Sequence, residues 1–202
     1  MTHIARVVLP VALILSFGLA GCSAAVPHQE PAPAKTTEAP AVAESEKPEE
    51  PAAAAGTREN PIPADTVTEY DPASMWRFSV GVTNPDATAD VMAQNEYNTL
   101  ADGSVFVTAP FYVQVKSEAD PAGADPSGSL LIEYVSAKGN SFATDGTCTI
   151  NDPLYVIGTM YPGAEGRATL CAAVPSDATI GGTWKVTSYA KPDSFIFLDG
   201  AN

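Results

Sequence analysis

Beyond Thr57, apolar and polar residues alternate along much of the chain, and this period of two predicts β-strands that place one face on a core. The clearest example is residues 104–116, where every second position from Val105 is apolar. Pro110 interrupts that run and predicts a bulge or an edge position. In chain order, strands are predicted at residues 76–83, 104–116, 129–136, 155–160, 164–174, 183–189 and 194–198.

Turn-forming residues separate the predicted strands, as at Gly181-Gly182. Only residues 87–93 have a helical pattern, and Asp86 is the expected N-cap of that short helix. About seven short strands within residues 57–202 predict an all-β domain, an immunoglobulin-like antiparallel β-sandwich. The prediction depends on the spacing of strands and turns along the chain.

The amino terminus has a different pattern, because a continuous apolar run follows Arg6 and ends in small residues, as in a secretory signal. Directly behind Leu19-Ala20-Gly21 lies Cys22, and this arrangement resembles a bacterial lipobox. The resemblance implies cleavage after Gly21 and a diacylglyceryl group on the Cys22 sulfur. A retained membrane helix is the alternative, but the run is shorter than the ~20 residues that a span requires.

Residues 1–21 are therefore expected to be a lipoprotein signal peptide, and residues 22–56 a lipidated cysteine followed by a tether.

The tether consists mainly of Ala, Pro and Glu. It cannot bury enough apolar surface to offset the entropy lost on ordering, so it is expected to be disordered. A proline-rich ligand for an aromatic groove is the alternative role. The expected location is the extracytoplasmic face of the cell membrane, with the lipid as the only membrane contact.

The folded domain is strongly acidic. The chain has a formal net charge of −14, and residues 57–202 contain seven Lys or Arg against eighteen Asp or Glu, a net charge of −11. Nucleic acids and anionic headgroups bind clustered cations, so neither is an expected partner. A solvated acidic surface is the simplest explanation, and a basic partner or loosely held divalent cations are the alternatives.

The chain has three cysteines, and lipidation of Cys22 leaves Cys148 and Cys171 for the domain. Export to an oxidising compartment predicts a disulfide between them, and their spacing is unlike the C-x-x-C of a reactive pair. The antibody pattern, in which two cysteines bracket a tryptophan, is absent because Trp184 follows both. Trp76 and Trp184 occupy apolar positions of their strands and are predicted core residues.

Catalytic chemistry is poorly represented in the domain. The two histidines are His3, in the signal peptide, and His28, in the tether, which argues against Ser-His-Asp, Cys-His and histidine-bearing zinc sites in residues 57–202. Glu133 is the best candidate for acid–base chemistry, although its neighbours Leu130, Ile132 and Tyr134 predict that it faces water. The loop with Asp120 and Asp125 invites a calcium hypothesis, but it lacks the spacing of a calcium loop and fits turn initiation better. No catalytic residue, cofactor or metal ligand is predicted.

Four segments resemble a family of actinobacterial cell-surface lipoproteins whose single domain is similar to the immunoglobulin-like fold of a secreted mycobacterial immunoprotective antigen. They are Gly56-Thr57-Arg58-Glu59-Asn60-Pro61, Asn151-Asp152-Pro153-Leu154, Met160-Tyr161-Pro162-Gly163 and Phe195-Ile196-Phe197-Leu198-Asp199. The resemblance implies an outward-facing domain of unassigned role in a Gram-positive envelope, and it transfers no functional residue.

These observations predict a monomeric, non-enzymatic binding or adaptor module that contacts envelope proteins or wall components. A carboxylate-dependent enzyme acting on wall polymers is the leading alternative. A small-solute receptor is a third possibility, but one strand-rich domain lacks the cleft between two lobes that such receptors use.

Overall fold

The computed structural model describes residues 54–144, 146 and 148–200. The predicted signal peptide, Cys22 and nearly all of the predicted tether lie outside the described residues. Within the described part, the seven strands are β1 Trp76–Val80, β2 Ser104–Val115, β3 Leu130–Val135, β4 Ser141–Ala143, β5 Glu165–Pro175, β6 Thr183–Ser188 and β7 Phe195–Asp199. The helices are α1 Thr88–Gln94 and α2 Pro126–Ser129, with 3-10 turns at Leu154–Val156 and Ser176–Ala178. None of these helices is long and apolar enough to cross a membrane.

The strands form two antiparallel sheets, one in the order β1-β2-β5 and the other in the order β4-β3-β6-β7. Alternate residues of both sheets meet in one apolar core, in which Trp76, Phe78, Tyr134 and Trp184 are almost completely buried. The ring of Tyr134 meets the indole of Trp184 edge to face, with centroids 5.2 Å apart. The predicted all-β class, the two-sheet antiparallel arrangement and the core positions of both tryptophans are confirmed.

Pro110 lies neither in a bulge nor on an edge, so that prediction is wrong. β2 is the central strand of its sheet, and its register with β5 runs without interruption through the Pro110–Thr169 pair. The backbone carbonyl of Pro110 points toward β1 and accepts from Gly81 N, 2.8 Å away, just past the end of β1 at Val80. A proline is tolerated here because its missing N–H faces the side on which the neighbouring strand has already ended.

The prediction of a strand at residues 155–160 is also wrong. The stretch begins within the 3-10 turn Leu154–Val156, in which Tyr155 is exposed. Its one strand-like contact is an isolated bridge between Met160 and Ala124. A short apolar run fits a strand and an irregular loop equally well, because three or four alternations carry little periodic information.

The sequence pattern does not predict β4. This strand is three residues long and pairs with β3 through Tyr134 and Phe142, directly after the turn at Lys138-Gly139-Asn140. Three residues are too few to show an alternation of their own, so β4 depends on its pairing with β3.

The chain enters the domain beside β7. Gly56 is buried, its carbonyl accepts from Phe197 N, and Ile62 continues along the same edge by bonding to Phe197 O and Asp199 N. A Cβ on Gly56 would lie 2.6 Å from Ile196 Cγ1, and its φ of +85° also favours glycine. Gly56 is therefore a structural part of the domain, and the segment that it opens protects an edge strand from pairing with other chains.

The outer face of the three-stranded sheet is covered by α1 and by the segment around Cys148. Val91 of α1, Ile150 and Cys171 pack with Phe106 in a second apolar cluster. The N-cap residue of α1 is Ala87, not Asp86 as predicted, although Asp86 Oδ1 still accepts from Thr88 N at 3.1 Å. The carboxylate thus satisfies an amide of the first turn from one position earlier.

Candidate functional site

The two predicted disulfide cysteines are brought together in the structure. Cys148 and Cys171 are joined with their Cα atoms 6.3 Å apart, within the normal range for a disulfide. Asn98 reinforces this connection, because its side chain donates to Thr149 O and accepts from Thr149 N, at 2.9 and 2.7 Å. The pair therefore fixes the long β4–β5 connection to the body of the sandwich. Cys22, the predicted lipidation site, lies outside the described residues.

Glu133 faces outward from β3, as its neighbours predict. Its Oε2 lies 3.6 Å from Lys185 Nζ on β6, and between a fifth and a quarter of each of these two side chains is exposed. The lysine ammonium also lies over the ring of Phe195, 4.8 Å from its centroid. The partner of Glu133 is thus a cation on the neighbouring strand rather than a second carboxylate, which makes a cross-strand ion pair the role that the geometry supports.

The aspartates of the suspected calcium loop are used within the loop itself. Asp120 Oδ1 accepts from Ala122 N, and Asp125 Oδ1 accepts from Ser127 N, both at 2.8 Å. Asp125 is the N-cap of α2, with Pro126 at the first helical position. Across the described ranges, no group of three or more His, Cys, Asp or Glu side chains is placed to hold a metal ion.

Three connections converge at one end of the sandwich, which we call the loop end: residues 116–129, 144–164 and 189–194. Their backbones bond to one another, since Ala124 and Met160 exchange hydrogen bonds of 2.8 and 2.9 Å and Tyr189 N donates to Ser129 O at 3.0 Å. Loops joined to each other and to strand ends in this way form a fixed surface on a rigid scaffold.

Large apolar side chains are exposed at the loop end. Tyr155 is 63% exposed and Tyr161 59%, while Tyr189 and Phe195 are each nearly half exposed. Tyr161 passes close to Gly123, where an added Cβ would lie 3.0 Å from its ring. Tyr155 and Tyr161 lie in the β4–β5 connection, Tyr189 lies in the β6–β7 connection and Phe195 begins β7. Only the fold brings these segments to the same end of the domain.

Two grooves adjoin this surface on either side of a ridge formed by Ala73, Ser74 and Met75, which lines both. The first, which we call the tyrosine groove, has a volume of about 330 Å³ and is lined by Tyr70, Asp71, Trp76, Ser129, Tyr189 and Lys191 in addition to the ridge. The second, the acidic groove, has a volume of about 420 Å³ and is lined by Pro72, Lys116, Glu118, Ala119 and Asp120 in addition to the ridge. Both volumes lie within or close to the range of small ligand sites.

A buried ion pair holds the ridge in place. The ammonium of Lys116, whose side chain is only 7% exposed, contacts Glu69 Oε2 and donates to Pro72 O at 3.0 Å. The Lys116 backbone N also donates to Met75 O at 2.9 Å. Glu69 Oε2 makes no hydrogen bond of standard geometry. Its partner is the Lys116 ammonium, and the ion pair compensates the charge of this carboxylate.

A second ion pair closes the rim of the tyrosine groove, where Lys191 Nζ lies 3.3 Å from Asp71 Oδ2. The Ala73 N–H, followed by the Lys191 ammonium, holds the pKa of Asp71 below its ordinary value. Asp71 is therefore ionised at neutral pH, and the pair leaves this groove without net charge.

The sequence matches no protein family and no curated protein. A solved structure that resembles it is that of a conserved hypothetical protein from Bacillus anthracis, with 12% identity and a TM-score of 0.36 over 65% of this chain and 92% of the other.

The loop end has no signature in the pattern of apolar and polar residues. The tyrosines that form it lie in turns and irregular segments, where no period distinguishes a binding residue from a solvated one. The available signal is the presence of a large aromatic residue in a turn, as at Tyr161-Pro162-Gly163, where polar residues are usual.

Proposed function

We propose that this protein is a lipid-anchored, extracytoplasmic binding module that contacts other envelope proteins through its loop end. The observation that carries the proposal is the exposure of four aromatic residues at one end of the sandwich: Tyr155, Tyr161 and Tyr189 on connected loops, and Phe195 at the start of β7. Several exposed aromatic side chains at one end of a domain indicate an interaction site, since exposed apolar residues are otherwise scattered singly on most proteins.

The chemistry of tyrosine favours this role. A tyrosine offers a large apolar ring and a polar hydroxyl, and it loses little conformational entropy on binding because it has only two side-chain torsions. The disulfide at Cys148 and the bonds of Asn98 fix one end of the connection that carries Tyr155 and Tyr161. Such fixation lowers the entropic cost of binding.

The strand order supports an immunoglobulin-like assignment of the domain. It follows the order of a constant-type immunoglobulin sandwich, except that the fourth strand pairs with the third strand instead of the fifth. In immunoglobulin variable domains, the loops at one end of the sandwich form the binding surface. The loop end described above is made of the corresponding connections, between strands two and three, four and five, and six and seven.

The amino-terminal segment supplies the location in this proposal. Lipid on Cys22 holds the protein at the membrane, and residues 23–55 span up to about 100 Å when extended, at ~3 Å per residue. That reach lets the domain meet partners within or beyond a layer of wall. The acidic surface limits attachment to anionic headgroups, so the lipid remains the membrane contact.

Photo-crosslinking in the native envelope tests the proposal. A photoreactive residue at position 155 or 161 of the full-length, anchored protein is expected to give discrete crosslinked species. The matched control is position 180, because Ile180 is 76% exposed but belongs to the β5–β6 connection, at the opposite end of the sandwich. Crosslinks from position 180 alone, or none from the loop-end positions, would contradict the proposal.

A further inference from the structure

We propose that the two grooves beside the loop end together bind an extended basic segment of the partner protein. One Lys or Arg side chain of that segment lies in the acidic groove, and a large apolar side chain two residues away lies in the tyrosine groove. This inference rests on the proposed function and specifies the chemistry of the partner.

The acidic groove suits a long cationic side chain. Its walls include Pro72, Met75 and Ala119, which offer apolar contact to the methylene stem, while Glu118 and Asp120 offer carboxylates to the charged head. Neither carboxylate belongs to an ion pair within the described part of the chain.

Lys116, which lines the acidic groove, does not oppose this ligand. Lys116 is buried and its charge is balanced by Glu69, which also lies 3.9 Å from Arg77 Nε. The two rim carboxylates therefore determine the charge of the groove, and an acidic domain attracts a basic segment over a longer range. An anionic partner is excluded by the same charges.

The tyrosine groove suits an apolar side chain. Tyr70 is held by stacking on Phe78, with ring centroids 6.0 Å apart, and Tyr189 faces solvent from the opposite connection. The charged side chains that line it, Asp71 and Lys191, neutralise each other. Buried Trp76 contributes to the apolar floor.

The shared ridge sets the spacing of the two side chains. Because Ala73, Ser74 and Met75 line both grooves, the grooves are separated by a single stretch of backbone. In an extended peptide, side chains that point the same way are about 7 Å apart, two residues along the chain. A segment lying across the ridge therefore places alternate residues in the two grooves.

Selection from displayed random peptides against the mature full-length protein tests the inference. The expected consensus has Lys or Arg two positions from Leu, Phe, Tyr or Trp. The double variant Glu118→Gln, Asp120→Asn should weaken binding of the selected peptide about tenfold, since it removes two exposed charges that each contribute modestly. The Asn side chain keeps an oxygen for Ala122 N, so the loop remains folded. Added salt should weaken wild-type binding and affect the variant less.

The matched control is the double variant Asp90→Asn, Glu96→Gln, which removes the same charge in and after α1 and should leave the affinity within twofold. Tyr189→Ser should remove the apolar preference while keeping the basic one. A consensus without Lys or Arg, such as a neutral proline-rich one, or equal losses in both double variants would overturn the inference. Crosslinks from positions 155 and 161 that persist in Glu118→Gln, Asp120→Asn would leave the proposed function standing while the groove assignment fails.

Discussion

The indole Nε1 of Trp184 donates a hydrogen bond to the hydroxyl oxygen of Thr83, 2.9 Å away and 101 residues earlier in the chain. Both residues are buried, and Thr83 N also donates to Gly200 O at 3.0 Å. This bond joins the centre of the four-stranded sheet to the segment that leaves the three-stranded sheet. A polar group in the core thus has a specific partner from the opposite layer, as buried donors require.

Removing either side of this bond should destabilise the domain. Thr83→Val leaves the indole N–H without a partner in the core and is expected to lower the free energy of unfolding by about 1–3 kcal/mol. Thr83→Ser keeps the hydroxyl and is the matched control, with a smaller loss. Urea denaturation followed by tryptophan fluorescence measures both. Equal stability of Thr83→Val and wild type would show that the bond contributes nothing.

The Lys116–Glu69 pair predicts an asymmetry between its two partners. Glu69→Gln leaves a charged ammonium in a nearly closed site and is expected to cost about 3 kcal/mol of unfolding free energy. Lys116→Met replaces the ammonium by an apolar side chain of similar length, and the more exposed Glu69 can turn to water and to Arg77, so the cost should be smaller. Chemical denaturation of both variants measures which of the two loses more unfolding free energy.

The exposed pair of Lys138 and Asp177, 3.3 Å apart, is the control for this comparison. Both side chains are at least 70% exposed, so Lys138→Met should change the free energy of unfolding by no more than about 0.5 kcal/mol. A larger loss from Lys116→Met than from Glu69→Gln would contradict the expected asymmetry.

The strands were predictable where one face is buried and the other is not. In β2, the residues from Val107 to Val115 alternate between core and partly exposed positions, and the period of two records that contrast directly. β4 and the residue pairing between strands depend on contacts distant in sequence, which no local pattern contains. Pro110 shows the same limit, because its tolerance follows from where β1 ends.

The candidate site was less predictable than the fold. The outward direction of Glu133 follows from the alternation of apolar and polar residues in its strand. The pairing of Cys148 with Cys171 follows because they are the two cysteines that remain once Cys22 is assigned to lipid. The loop end is different, because Tyr155 and Tyr189 lie in connections that are distant in sequence and reach the same end of the sandwich only through the folding of both sheets. The buried Lys116 was also missed, since a lysine at the end of a strand ordinarily faces water.

The disulfide should stabilise the domain and hold the β4–β5 connection. Replacing Cys148 and Cys171 by Ala is expected to cost about 3 kcal/mol of unfolding free energy for a separation of 23 residues. The unfolded, unreduced mature protein should contain no free thiol, because Cys22 sulfur carries lipid in the proposal above. Thiol titration that finds two free groups would refute the bridge.

Acid should destabilise the fold, and two aspartates are expected to contribute to that loss of stability. The Ala73 N–H and the Lys191 ammonium hold the pKa of Asp71 below its ordinary value, and the Thr88 hydroxyl and N–H do the same for the pKa of Asp86. The native state therefore binds fewer protons than the unfolded state. The two ionised aspartates therefore stabilise the folded state at pH values above the unfolded-state pKa of about 3.9. This stabilisation is lost as the pH falls through their lower pKa values in the native state.

The double variant Asp71→Asn, Asp86→Asn keeps acceptor oxygens but cannot titrate. Its melting temperature is expected to fall less steeply than that of wild type below about pH 4. Glu96→Gln is the control, because Glu96 is exposed and enters no ion pair or hydrogen bond within the described residues. If the melting temperatures of wild type and the double variant fell equally steeply with pH, these two carboxylates would not contribute to the acid sensitivity.

Lipidation of Cys22 is the prediction on which the location depends. Mass spectrometry of the protein from its native membrane is expected to show a chain that starts at Cys22 and carries a diacyl increment. Cys22→Ser should abolish both the increment and membrane attachment, because no second anchor is proposed. Arg6→Lys keeps the positive charge before the apolar run and should be processed as wild type. An unprocessed, unlipidated chain that still sediments with membranes would refute the anchor and require another mode of attachment.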